Sequence, residues 1–189
     1  MDRNAPPRLL LWIMPFLDAA LVRFLGIRPM RDGSPLRVNF YSFRGNPFTF
    51  PDGTRINRGQ RVAEIHLDNH LVSHTALPMW ELLGKTRSDL RFLAEQMMSG
   101  KIKDDFKAIH AVTVHHVAAS RVGFLSRELP EGAFTRLTQM FLKGLLVTYH
   151  PLGKKRLSEG RTPLEAREIW MSSQELVRRY GQVPQMGTG

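Results

Sequence analysis

The sequence predicts a single α+β domain in which an antiparallel sheet carries amphipathic helices mainly on one face. Three observations point there. Apolar residues recur every second position in 36–43 and 62–68, and they recur with helical spacing in 88–100 and 130–150. No internal repeat, long linker or low-complexity block divides the chain. Its 189 residues, 42% hydrophobic and 23% charged, fit one globular unit (1–189) long enough to bury a core without staples.

The most apolar segment, "RLLLWIMPFLDAALVRFLGI" at 8–27, is interrupted by Pro15, Asp18 and Arg23 and falls short of the roughly 20 clean residues of a membrane span. Arg3 and Arg8 ahead of "LLLWIMPFL" give a signal peptide in outline, but the small-residue cleavage pattern is poor. The pattern predicts instead a helix over about residues 8–26. Leu10, Ile13, Leu17, Leu21 and Phe24 share one face, and Gly26 closes the end. That face docks either on the domain's own core or on a membrane interface.

After the turn-rich "RPMRDGSP", residues 36–43 alternate Leu36, Val38, Phe40 and Ser42 with Arg37, Asn39, Tyr41 and Phe43, as a strand does. "PDGT" at 51–54 and "NRGQ" at 57–60 are tight-turn signals, so 36–68 reads as an antiparallel meander. "SDLRFLAEQMMSG" at 88–100 predicts a helix with Ser88 as N-cap, Leu90, Leu93, Ala94 and Met97 on one face, and Gly100 at its end. The preceding "LPMWELL" reads as core filler. The β-branched "AIHAVTVHHVA" at 108–118 predicts a strand, with 121–129 as its hairpin partner. In 130–150 Pro130 suits a first helical turn, and Phe134, Leu137, Phe141 and Leu145 form the core stripe. "TPLE" and "SSQE" both have capping-box form, with a short extended piece at 167–171 between them. A last helix runs through Tyr180, Gly181 ends it, and the tail after 181 frays.

Composition narrows the chemistry. The absence of Cys removes disulfides, thiolate nucleophiles and Cys-ligated metal sites, and fits a cytoplasmic location. The 27 Lys and Arg against 17 Asp and Glu give a net charge of +10, which favours anionic partners. Nucleic acid is not the expected one: zinc-finger spacing, an RNA-recognition signature and a basic zipper are all missing. Phosphate-loop, dinucleotide and Gly-x-Ser-x-Gly patterns are missing too, which leaves ATPase, oxidoreductase and serine-hydrolase readings without support.

The segment that carries chemistry is "VAEIHLDNH" at 62–70. On a strand, residues i and i+2 share a face about 6.5–7 Å apart, so Glu64, His66, Asp68 and His70 project together while Ala63, Ile65 and Leu67 turn the other way. A carboxylate beside an imidazole raises its basicity and orients a ring nitrogen, as a general base requires. This makes His66 the candidate base, with Glu64 or Asp68 orienting it. No cofactor is predicted outright. A divalent metal bound by His and Asp is the variant reading, with His74, His110, His115 and His116 as further ligands, although no His-Glu-x-x-His motif is present. The plain reading is the wet side of a half-buried strand. In "HPLGKKRL" at 150–157, Lys154, Lys155 and Arg156 follow Gly153 in a turn that could hold phosphate or carboxylate, or simply face solvent.

"VAEIHLDN" after the "DGTRINRGQ" hairpin, then "HPLGKKRL", then "EIWMSSQELVRRYG", resembles the YkoP-like family of small bacterial proteins, from the first helix to Gly181. The matching positions are Glu64, His66, Leu67 and Asn69, then His150, Pro151 and Gly153, then Trp170, Ser172, Tyr180 and Gly181. Such domains also occur appended to polysaccharide deacetylases, so the resemblance implies an envelope or surface-polymer setting and no particular reaction. The deacetylase metal motifs are not in this chain.

Two functions follow as expectations. In the first, the chain is an accessory or binding module at the inner face of the membrane. It engages an anionic lipid headgroup, a glycan intermediate or an envelope-synthesis protein, with Asn69, His150, Lys154, Lys155, Arg156, Trp170 and Ser172 as ligand contacts. In the second, it is a small enzyme acting on an envelope lipid or sugar, with His66, Glu64 and Asp68 as its catalytic group.

Overall fold

The computed structural model describes residues 16, 19–20, 22–68, 71, 78–102, 106–149 and 165–181. Among the described residues, eight strands and four complete helices follow in chain order: β1 (Arg28–Pro29), β2 (Leu36–Ser42), β3 (Phe48–Thr49), β4 (Arg55–Ile56), β5 (Arg61–Leu67), α1 (Met79–Met98), β6 (Ala108–Thr113), α2 (His116–Ser120), β7 (Leu125–Glu128), α3 (Ala133–Tyr149), β8 (Arg167–Ser172) and α4 (Ser173–Tyr180). The chain is a single α+β domain, as its periodicities predict.

Six strands form one sheet in the order β1-β2-β5-β6-β8-β7, and β3 and β4 form a separate hairpin. β2 and β5 pair along their whole length, from Leu36 opposite Leu67 to Ser42 opposite Arg61, so the meander is a two-strand ribbon with the β3–β4 hairpin looped out. The sheet is mixed and not purely antiparallel: β5 and β6 run parallel. A parallel neighbour needs a crossover connection, and α1 lies within it.

The hairpin expected between 108–118 and 121–129 does not form. β6 and β7 each pair with β8, which lies between them. The chain leaves β6 at Thr113 and turns through α2, so the hydrogen bonds of both strands are completed by residues 167–172, beyond α3. The extended piece at 167–171 is thus an interior strand.

Alternation gives the sheet two unlike faces. On one, Leu36, Ala63, Ile65, Ile109, Ala111, Ile169 and Met171 pack with Leu90, Leu93 and Ala94 of α1 and Leu176 and Tyr180 of α4. On the other, Val62, Ala108 and Trp170 pack with Phe43, Phe50 and Ile56 under the β3–β4 hairpin, where Phe43 meets Trp170 edge-on at 5.7 Å.

Helix boundaries differ in places from expectation. α1 starts nine residues before Ser88, with Pro78 at its N-cap, because Met79–Arg87 is rich in helix formers. Ser88 is therefore mid-helix and accepts a hydrogen bond from Arg31. Beside it the fully buried Asp89 accepts from Arg31 Nε (2.6 Å) and Ser34 Oγ (2.7 Å). "LPMWELL" is not core filler throughout: Trp80 is 74% exposed. In α3 Leu145 is buried but Leu137 is exposed, and the Phe134 side chain lies outside the described residues. α4 matches "SSQE": Ser172 Oγ accepts from the Glu175 amide at 2.9 Å, and Gly181 ends the helix.

Of the first helix, residues 16, 19–20 and 22–24 are described, and all are helical. Gly26, at φ 63°, terminates it in a Schellman arrangement, with the Ile27 amide bonded to the Val22 carbonyl at 3.0 Å and the Gly26 amide to that of Arg23. Phe24 is exposed, whereas Leu10, Ile13, Leu17 and Leu21 lie outside the described residues, as do "TPLE" and the tail after 181. Among the described residues no helix is long and apolar enough to cross a membrane.

Candidate functional site

The face of the sheet that carries the β3–β4 hairpin also carries polar residues, and the strand register decides which of them meet. Across the β2–β5 ladder Arg37 stands opposite His66 and Asn39 opposite Glu64. Across the parallel ladder Glu64 stands opposite His110, and across the next one His110 stands opposite Trp170. Side chains on one face of neighbouring strands are within reach of one another. Four strands therefore deliver Asn39, Tyr41, Glu64, His66, His110 and Trp170 to one patch.

The Glu64 carboxylate is its centre. Oε2 is 3.5 Å from His66 Nε2 and Oε1 is 3.8 Å from His110 Nδ1. His66 Nε2 also lies 3.4 Å from Asn39 Oδ1. Two oxygen acceptors around Nε2 assign the proton to that nitrogen and make Nδ1 the lone-pair atom. His110 Nδ1 is 3.1 Å from the Tyr41 hydroxyl, and its ring stacks on Trp170 at 4.2 Å. Trp170 is fixed in turn by a 3.0 Å bond from Nε1 to Glu168.

The two imidazoles differ in environment. The side chains of His66 and Glu64 are 30% and 24% exposed and reach solvent, whereas that of His110 is only 9% exposed and its buried Nε2 has no hydrogen-bond partner among the described residues. Burial pushes the His110 ring down to about 4, with His66 acting in the same direction and Glu64 opposing. Burial alone would raise Glu64, but the hydrogen bond and charge of His66, the charge of His110 and a bond to Asn39 hold it below its usual range. Tyr41 is pushed above the ordinary tyrosine range, first by burial and then by the negative charges of Glu64 and Glu168. At neutral pH the patch therefore holds an ionised carboxylate beside a neutral buried imidazole.

Not all the residues of the sequence motifs come together here. Glu64 and His66 do, whereas the carboxylate of Asp68, just past the end of β5, is engaged by Arg37, the residue opposite His66. Asp68 bonds to Arg37 at 2.6 and 2.9 Å and accepts the Leu71 amide. Trp170 is buried and forms a wall behind His110, and Ser172 is occupied as the N-cap of α4 and as a donor to Asp52. Asn69, His70, His74, His150, Lys154, Lys155 and Arg156 lie outside the described residues. Among the described residues no group of three or more His, Asp or Glu side chains is arranged to hold a metal ion. Tyr41 and Asn39 are site residues the motifs do not single out, although the alternation in 36–43 already places them on the polar side.

The arrangement can move a proton. A half-exposed imidazole backed by a carboxylate can take a proton at one nitrogen while the carboxylate steadies the resulting cation. Behind the carboxylate, the half-buried Tyr41 hydroxyl and the buried His110 ring engage each other, with His110 Nδ1 3.8 Å from Glu64.

The chain matches the family model of the YkoP domain over residues 7–180 and belongs to that family. No curated protein and no solved structure matches it at a significant level.

Proposed function

We propose that this YkoP-domain chain is a small enzyme that performs acid–base chemistry on a neutral or amine-bearing saccharide of the cell envelope. The observation that carries the reading is the Glu64 carboxylate held between two imidazoles, one open to solvent and one buried. His66 acts as the general base through Nδ1, taking a proton from a substrate hydroxyl or from water. Glu64 orients the ring and stabilises the imidazolium. Tyr41 and His110 are positioning residues. The charges of Glu64 and Glu168 disfavour an anionic substrate at this patch and favour one bearing hydroxyl or ammonium groups. The envelope setting, at the inner membrane surface, rests on the family likeness to domains appended to polysaccharide deacetylases. The accessory-module reading draws its support from the net charge of +10, and the site geometry favours the enzyme.

The test incubates the protein with N-acetylated and de-N-acetylated envelope oligosaccharides and follows the products by mass spectrometry. Wild type should turn over at least one member of the panel, and His66→Gln should lose about 10²–10⁴-fold in rate while remaining folded. Turnover that is unchanged in His66→Gln, or no turnover together with His66 ring resonances unmoved by any saccharide, would sink the proposal.

A further inference from the structure

The opposite side of the molecule carries a surface of different character. α1 and α4 cover the apolar face of the sheet, so their outward residues face away from the acid–imidazole patch. Along α1, Trp80, Gly84, Arg87, Arg91, Glu95 and Met98 recur three or four positions apart and are all exposed, which makes them one row on the solvent side. Trp80 is 74% and Met98 52% exposed, and they stand about 27 Å apart at the two ends of the row. α4 packs beside α1 and adds Arg178 and Arg179, both exposed.

The positive charges gather at the seam between the two helices. Arg87 and Arg91 from α1 and Arg179 from α4 all lie close enough to Tyr180 to act on its hydroxyl, opposing the upward push of burial. Glu175 is satisfied within α4 by Arg178 and Arg179. Four guanidinium groups thus face outward against the two carboxylates of Glu95 and Glu175.

We infer that the α1–α4 face docks on an anionic phospholipid surface, leaving the acid–imidazole patch turned away from the lipid. The charge is complementary to such a surface. An indole and a thioether flanking the cationic row suit the boundary between headgroups and acyl chains, where tryptophan anchors and arginine meets phosphate. The inference stands apart from the proposed chemistry, because lipid partition is measured without any saccharide.

The test is co-sedimentation of the full chain with vesicles of phosphatidylglycerol in phosphatidylcholine, against phosphatidylcholine alone, over a salt series. Partition should require the anionic lipid and weaken as salt rises. The double variant Arg87→Glu/Arg91→Glu should reduce it by at least about tenfold, since each basic residue near such a surface contributes roughly a fivefold factor. Brominated lipid should quench fluorescence in wild type, and the quenched component should be lost in Trp80→Phe measured in a Trp12→Phe background. Trp80, Arg87 and Arg91 are exposed, and an unchanged circular dichroism spectrum verifies the fold. Partition that the double variant leaves intact, or that shows no anionic preference, overturns the inference. So does binding to DNA or polyphosphate with no lipid quenching, which would identify a soluble polyanion as the ligand.

Discussion

Acidification should destabilise this protein well above the pH at which its carboxylates begin to protonate, and His110 is the reason. Tyr41 faces this ring from β2, Glu64 and His66 from β5, and Trp170 with Glu168 behind it from β8. The folded ring is held to about 4 against an ordinary value of 6.5. Between those values the unfolded chain binds a proton at this residue and the folded chain does not. Stability is therefore whole above about pH 6.5 and falls as pH drops towards 4. At about 1.4 kcal/mol per pH unit, the loss is roughly 2 kcal/mol by pH 5 and about 3 kcal/mol by pH 4. Glu64 adds a loss of its own, but only below its ordinary value of 4.5, so the interval from 6.5 to 4.5 isolates the histidine. The assay is urea unfolding at half-unit pH steps for wild type and His110→Gln, which retains a polar group towards Tyr41. Contributions common to the two proteins drop out of the difference. Equal slopes in the two proteins, or an NMR titration of the His110 ring near 6.5, would refute the reasoning.

Glu64→Gln removes the one charge that favours the His110 imidazolium, so that ring should titrate below its wild-type value, as NMR would read directly. Asp89→Ala removes a fully buried carboxylate that accepts from Arg31 and Ser34, leaves those donors without it, and should cost about 2–4 kcal/mol in chemical unfolding. Ser172→Ala removes the α4 N-cap and the donor to Asp52 and should cost about 1 kcal/mol, with Ser172→Asn recovering part of it. Gly123 has φ 96°, and a Cβ there would meet Arg179 Cδ at 2.8 Å, so Gly123→Ala should lower stability by about 1–2 kcal/mol in the same assay.

The local half of this architecture is legible in the sequence. Period-two alternation places Glu64 and His66 on the side of β5 opposite Ala63 and Ile65, and the capping pattern around Ser172 and Gly181 fixes α4. What alternation cannot supply is the neighbour. His110 reaches Glu64 only because β5 and β6 pair in parallel across a crossover, and Trp170 reaches His110 only because β8 enters between β6 and β7. Neither pairing leaves a short-range trace, since a parallel or distant partner needs no turn signal. Asp68 shows the same limit at the strand end, where its carboxylate is engaged by Arg37 across the ladder, a partner that alternation within β5 does not name. Trp80 shows a different limit: an apolar residue at a helix start can face solvent, and composition alone does not say which side it takes.

The interior position of β8 has a consequence for biosynthesis. Residues 167–172 are made after β6 and β7, so both strands exist with ladder edges open towards β8 until that strand is released. The sheet can close only when the last strand threads into the gap. A premature stop between Glu128 and Arg167 would thus leave β6 and β7 without their shared partner, while a stop just beyond Gly181 would leave every strand of the sheet in place.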